Sequence, residues 1–375
     1  MSPVRFGMIG GGRRAYCYVH LTKMLPERFA LSSVMIRNPE KRDAYAQQFD
    51  VPVCGDIDAL LASKPQFVVV SVPREVAPEI TSELRRRGVP VLTETPPAID
   101  LEGLIALYKD TDSGRMVQVS EQFHLMPMHN ARVAVVRSGI LGTATEAQIS
   151  CAHGYHGVSL LRKLLDVSFE PVTITARQFS ARIVNPDKED ALEEEQQEQE
   201  HQILAWLDYG NKLGVFDFTG SQYFTRLRSA RILVRGNLGE ISGTTVRYLN
   251  NELKPEIAEL IRHDSGDDPR LTDPWGNRVA SETSQFNWGW IEPQSHKGVT
   301  LGDEWVYVNP FFPVSMSDDE VGIAHCLQRM AEYVDGGPSF YSLAEAAQDR
   351  YLGMMIDKAA ETGEPIIAEP QVWSR

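Results

Sequence analysis

Cysteine is scarce in this sequence. Only Cys17, Cys54, Cys151 and Cys326 occur in 375 residues, far apart and without a CxxC pair. That argues against a disulfide framework and a zinc knuckle, and points to a reducing, cytoplasmic setting. Long apolar runs are missing as well. The opening MSPVRFGMIGGG has no charged stretch followed by an apolar one, and no 18-residue apolar run follows it. The expectation is a chain with no signal peptide and no membrane span. Positive charge is in deficit: Lys and Arg number 37 against 51 Asp and Glu, a net charge of −14. Such a surface repels phosphate backbones and anionic lipid, so neither nucleic acid nor membrane is an expected partner. Lysine, histidine and cysteine are all missing from VPVLTETPPA, residues 89–98. This stretch reads as an apolar strand that runs into Glu94 and is stopped by Pro96 and Pro97.

What is present fits a soluble globular protein of about two domains, with 42% hydrophobic and 23% charged residues. The first third alternates apolar strands with helical segments. VRFGMIG, FALSSVMI, PQFVVVSV and VPVLTE are the strands, and RMVQVSEQFH adds another. This pattern predicts a parallel, doubly wound sheet whose ligands lie at the carboxyl ends of the strands. Topology therefore places Gly10, Gly12, Arg37, Pro73, Glu94, Thr95, Gln122 and His124 along one edge.

The turn GMIGGGRRA matches G-x-G-x-x-G/A through Gly10, Gly12 and Ala15, directly between a strand and a helix. The first glycine allows the tight turn, and the second lets backbone approach a pyrophosphate. Ala15 permits close helix–strand packing, and the helix N-terminus beside Arg13 supplies N–H donors. The expected ligand is a dinucleotide. The acid that usually ends the second strand, where it binds the ribose 2′-hydroxyl, is replaced by Ile36 and then Arg37. An arginine there can pair with a 2′-phosphate, which points to NADP, alone or beside NAD. The competing reading is a solvated Arg37 that stacks on adenine without discriminating.

The remainder reads as an α+β domain with an open, mostly antiparallel sheet. HQILAWLDYGNKLGVFDFTG and RILVRGNLGEISG are expected hairpins, and two amphipathic helices close the chain. The run NPDKEDALEEEQQEQEH reads as an exposed acidic loop or frayed helix. From about residue 250 to 312 the chain reads as irregular and aromatic, with Trp275, Trp288, Trp290 and Trp305, suiting a lid, an oligomer contact or a packed insertion. The boundary is expected at 122/123, giving domains 1–122 and 123–375.

Six segments taken in order make the chain resemble the glucose–fructose oxidoreductase / inositol dehydrogenase (Gfo/Idh/MocA) family. They are VRFGMIGGGRRA, RNPEKRDAYAQQFDV, VVVSVPREVAPEITSELRRRGVPVLTETPPA, SGILGT, RILVRGNLGEI and the closing HCLQRMAEYVDGG…AAETGEPI. The resemblance implies a Rossmann domain followed by an open-sheet domain, a nicotinamide cofactor, and hydride transfer to or from a sugar, cyclitol or similar molecule. It also implies a homo-oligomer, dimer or tetramer, built on the sheet. Two departures stand out. Relatives carry Glu-Lys-Pro where this chain has Glu94-Thr95-Pro96. Relatives place an aspartate four residues before their histidine, where this chain has Ala152 before His156. The replacement is expected from the cluster His153, Tyr155 and His156, with His156 as acid/base, His153 or His124 able to substitute, and Tyr155 and His124 toward substrate. Pro73, Glu94 and Gln122 are expected around the cofactor, and no metal site is expected. Two other functions fit the same erasures: a sugar lyase or hydrolase that uses bound NAD transiently, and a non-catalytic dinucleotide-binding protein.

Overall fold

The computed structural model describes residues 2–184, 197–223, 227–264 and 294–374. By contact the chain divides into two compact units. One comprises Met1–Leu125, Asp318–Tyr351 and Gln371–Arg375, the other Met126–Ser317 and Leu352–Pro370. The 122/123 division of the sequence thus lies near the first crossing at Leu125. The segment from Asp318 groups with the N-terminal unit.

The first unit runs β1 (Val4–Ile9), α1 (Arg13–Met24), β2 (Phe29–Met35), α2 (Pro39–Phe49), β3 (Val53–Cys54), α3 (Ile57–Ala62), β4 (Phe67–Val70), α4 (Ala77–Arg86), β5 (Val91–Thr93), α5 (Leu101–Asp110) and β6 (Val117–Val119). The sheet order is β3-β2-β1-β4-β5-β6, all parallel. Every residue of β4 is buried, as a strand covered on both faces requires. Helix starts follow local chemistry. Asn38 Oδ1 accepts the Lys41 N–H at 3.1 Å ahead of Pro39, and Asp56 and Asp100 cap α3 and α5 in the same way at 2.8 Å.

The second unit contains α6 (Pro127–Arg137), β7 (Ala144–Ser150), α7 (Gly154–Leu165), β8 (Val172–Ile183), β9 (Glu198–Asp208), β10 (Leu213–Thr219), β11 (Arg231–Gly236), β12 (Gly239–Ser242), β13 (Thr245–Leu249), β14 (Pro255–Asp264), β15 (Gln294–Leu301), β16 (Glu304–Val308) and β17 (Ser315–Met316). Then come α8 (Asp318–Val334) and α9 (Leu343–Thr362), with β18 (Ile366–Ala368) last. The sheet has 12 strands, in the order β16-β15-β14-β13-β12-β11-β7-β10-β9-β8-β18 with β17 on β15. Among the described residues of this sheet, β7 and β10 alone pair in parallel. Both expected hairpins form, β9/β10 and β11/β12. Residues of the inner face, such as Ala147, Ile149, Leu207, Phe216 and Val234, are buried.

Two sequence expectations change. Among the described residues of the stretch from 250 to 312, β14, β15 and β16 lengthen the sheet, and 265–293 lie outside the described residues. The alternation on β14 is masked by inverted chemistry. Arg262 and Asp264 share the inner face with Leu260 as an ion pair at 3.0 Å, while Ile257 and Ile261 face outward. The acidic run is also partly strand, since Glu198–His201 opens β9 against Ile183 and its β8 neighbours. Glu200 there is buried and paired with Arg228 at 2.6 Å. Residues 185–196, and Trp275, Trp288 and Trp290, lie outside the described residues.

In the first unit, Ser339–Ser342 ahead of α9 covers the exposed edge of β6. Gln118 Oε1 accepts the Phe340 and Tyr341 N–H groups, each at 3.0 Å, and the Val119 N–H donates to Tyr341 O at 2.9 Å. Tyr341, Leu343 and Ala346 pack into the same core as β4, β5 and β6. A capping box opens α9: the Ser342 hydroxyl accepts the Glu345 N–H at 3.2 Å, and the Glu345 carboxylate accepts the Ser342 N–H at 3.1 Å.

Candidate dinucleotide and proton-transfer sites

The turn after β1 is built around glycine. Gly10 has φ +122°, and a Cβ there would lie 2.0 Å from the Ser71 carbonyl oxygen at the end of β4. Only glycine fits. Gly12, the N-cap of α1, is exposed, and a Cβ on it would meet nothing within 4 Å. That room is where the fingerprint lets a pyrophosphate approach. Ala15 is fully buried on the sheet side, and no acidic residue occupies the first turn of α1. The N–H groups of that turn can therefore receive an anion. Arg13 is exposed beside them. At the end of β2, Ile36 is followed by exposed Arg37, with no acid in between. Pro73 is exposed beyond β4 and opens the turn into α4, where its carbonyl accepts the Val76 N–H at 3.0 Å. These residues fit a dinucleotide.

Glu94 follows β5, and its N–H donates to Val70 O at 3.1 Å. Its carboxyl accepts the Tyr18 hydroxyl from α1. Arg14 Nε lies 3.9 Å from the second carboxyl oxygen, which also faces the Thr95 N–H at 3.4 Å. Burial raises the Glu94 carboxyl above its usual range, while Arg14 and Tyr18 pull it back. Burial, reinforced by the Glu94 carboxylate, pushes the Tyr18 phenol well above its ordinary value. The Gln122 amide donates to Asp319 Oδ1 at 2.9 Å, while Asp319 Oδ2 accepts Arg14 Nη1 at 2.8 Å. His124 is buried with its ring 5.0 Å from that of Tyr341. Reading from sequence missed Arg14, Tyr18 and Asp319. Tyr18 falls one helical turn past Ala15 and so shares its sheet-facing side, a signal the spacing contained.

In the second unit His153, Tyr155 and His156 do come together, at the N-terminus of α7. The His153 ring lies 5.0 Å from His156 and 5.2 Å from Tyr155, and Tyr155 and His156 are 4.4 Å apart. His156 is buried and the other two are half-buried. Tyr223, which sequence reading missed, completes the group. Its hydroxyl accepts the His153 backbone N–H at 2.9 Å and lies 2.9 Å from His153 Nδ1. Gly157 lets α7 approach the sheet, since a Cβ would fall 2.6 Å from Phe216. Among the described residues no three His, Cys, Asp or Glu side chains could hold a metal ion.

Residues 4–123 match the Gfo/Idh/MocA family model, described as an oxidoreductase family with an NAD-binding Rossmann fold. Over those residues the chain is similar to this family. Solved structures of similar fold agree over the whole length. One is an oxidoreductase from Agrobacterium radiobacter in complex with NAD+, L-tartaric acid and magnesium, at TM-score 0.66 and 16% identity, covering 97% of this chain and 98% of that one. A levoglucosan dehydrogenase in complex with NADH and levoglucosan has TM-score 0.65 and 13% identity, with 98% and 100% coverage. A myo-inositol dehydrogenase from Corynebacterium glutamicum ATCC 13032 has TM-score 0.63 and 16% identity, again with 98% and 100% coverage. No curated protein matches by sequence.

Proposed function

We propose that this protein is a Gfo/Idh/MocA family member that transfers hydride between a nicotinamide dinucleotide and a sugar, cyclitol or similar polyol or its ketone. The observation that carries the reading is the turn after β1, with Gly10 locked against Ser71 O and Gly12 left open. The cofactor supplies hydride chemistry at its nicotinamide. Gly10, Gly12 and Arg13 hold the pyrophosphate, while Pro73, Glu94 and Gln122 shape the nicotinamide side. His156 moves the hydroxyl proton, a task that suits an imidazole near neutral pH. In the second unit Tyr155 and His153, held by Tyr223, orient substrate, and in the first unit Thr95 and His124 are the substrate candidates. Incubation with NAD or NADP and a panel of polyols, following reduced-cofactor absorbance, tests this. Cofactor binding without turnover on any polyol overturns the substrate reading. Product formed without net NADH supports transient oxidation instead.

Arg37 favours NADP, because an exposed guanidinium stands where NAD-specific sites keep an acid. Arg37→Ala is expected to weaken NADP binding by roughly tenfold or more and to leave NAD nearly unchanged, as read by calorimetry. A larger loss for NAD refutes it. The sheet supports a homo-oligomer. Pairing registers put Phe179, Trp206, Ile257, Ile261, Trp305 and Ile367 on one face, and all six are exposed. Four free cysteines suit a cytoplasmic setting. No helix among the described residues is long and apolar enough to cross a membrane.

A further inference from the structure

Glu94 is enclosed by groups from several elements of the first unit. From α1 it faces Arg14, Cys17 and Tyr18, and from α8 it faces Asp319 and Cys326. Beyond β6, Ser120 Oγ lies 2.8 Å from the Tyr18 hydroxyl, and the adjacent Glu121 is buried with its carboxylate accepting the Phe123 N–H at 3.1 Å. Burial pushes the Cys17 thiol up to about 12, and also raises Cys326, so neither adds charge near neutral pH. Arg14 is offset by its partner Asp319, itself buried and held by Gln122. Glu94 therefore sits as a titratable carboxyl beside a balanced ion pair.

In a doubly wound sheet the two halves of a dinucleotide lie on opposite sides of the β1/β4 switch point. Arg37 marks the β2 side, so the nicotinamide half belongs on the β4/β5 side, where Glu94 ends β5. The oxidised nicotinamide ring is a cation and the reduced ring is neutral. Beside a partly buried carboxyl that difference is weakly screened.

We propose that Glu94 is the proton store of the reaction: ionised while the ring is oxidised, it binds one proton when the ring takes hydride and loses its charge. In the oxidative direction the carbinol C–H bond breaks with its electron pair passing to the ring. The C=O bond forms, and the hydroxyl proton is the one that Glu94 finally holds. The inference rests on the dinucleotide part of the reading above, and which alcohol supplies the hydride and the proton does not enter it. Tyr18 and Arg14 are positioning residues that favour the ionised form, one by donating a hydrogen bond and one by charge.

Linkage makes this measurable without turnover. Dissociation constants of NAD+ and NADH are compared by calorimetry from about pH 5 to about pH 9, a span chosen because burial raises the Glu94 carboxyl. In the wild type the ratio Kd(NAD+)/Kd(NADH) should fall as pH rises, by up to roughly tenfold for each pKa unit by which the ring charge separates the two Glu94 titrations. In Glu94→Gln the ratio should be flat. Tyr18→Phe, which removes the donor to the carboxylate, should move the sloping region to higher pH, and it keeps the test open if Glu94→Gln does not fold. A flat wild-type ratio overturns the inference, as does a slope that survives in Glu94→Gln or stays in place in Tyr18→Phe. A wild type that shows the slope but oxidises no polyol would keep the inference and remove the substrate reading.

Discussion

Two glycines two residues apart illustrate how differently one residue type can serve. Gly10 is demanded by the chain itself, through its backbone angle and its contact with Ser71 O. Gly10→Ala is expected to cost at least about 1–3 kcal/mol in urea unfolding from the left-handed backbone alone, with cofactor binding lost alongside. Gly12 is demanded by the ligand. Gly12→Ala meets no neighbour, so stability should stay within about 0.5 kcal/mol of wild type. NADH affinity, read by fluorescence titration, should still fall by roughly tenfold or more as the methyl enters the pyrophosphate's room. Equal losses of stability in both variants would contradict this division. The spacing of the motif made both glycines legible. It could not make Arg14 legible, since its partner Asp319 is 305 residues away.

Helix α8 supplies more than a cover for the first unit. Its first turn carries Asp318, Asp319 and Glu320, and the last two bond to Arg14 at 2.8 Å and to His20 at 2.9 Å on α1. Deeper along α8, burial and then Arg329 push His325 down to about 4. The folded value lies below the unfolded one, so the unfolded chain binds more protons. The stabilisation is complete above about pH 6.5 and is lost as pH falls toward about 4. Urea unfolding at about pH 7 and about pH 4.5 should show a drop of up to about 3 kcal/mol, and His325→Leu should remove much of it. An unchanged acid limb in the variant would reject His325 as its source. At this scale the alternating strands and helices of the first third were readable because a doubly covered parallel strand such as FVVV is apolar throughout. β14 was not, because a buried Arg262–Asp264 pair takes the positions where periodicity expects apolar side chains. Where such charges satisfy one another inside, the outward Ile257 and Ile261 give the opposite signal.

Across the whole molecule, the outer face of the 12-stranded sheet joins exposed aromatic and aliphatic residues with charged neighbours, Arg235 lying between Glu146 at 3.2 Å and Glu240 at 2.7 Å. If that face joins copies of the chain, Trp206→Glu with Ile261→Glu should lower the mass measured by light scattering while leaving NADH binding intact, since burying unpaired charge in an interface is costly. An unaltered mass would exclude the face. The resemblance carried by the six segments anticipated this architecture. The side chains of the second unit were harder to read, since Tyr223 joins His153 across 70 residues of sequence.

The first unit is assembled from chain that arrives late. Its N-terminal stretch ends at Leu125, and the helix that supplies Asp319 begins only at Asp318. At roughly 5–20 residues per second, a ribosome needs about 10–40 s to make the 192 residues between them. During that interval Arg14 has no Asp319, and the edge of β6 waits for Ser339–Ser342. Cofactor capture is therefore expected to follow the synthesis of α8, and nascent chains stalled near residue 300 should retain little NADH. The dinucleotide turn and the helix that braces it are thus separated in synthesis, Arg14 preceding Asp319 by 305 residues, so NADH binding is expected to appear only after α8 has been made.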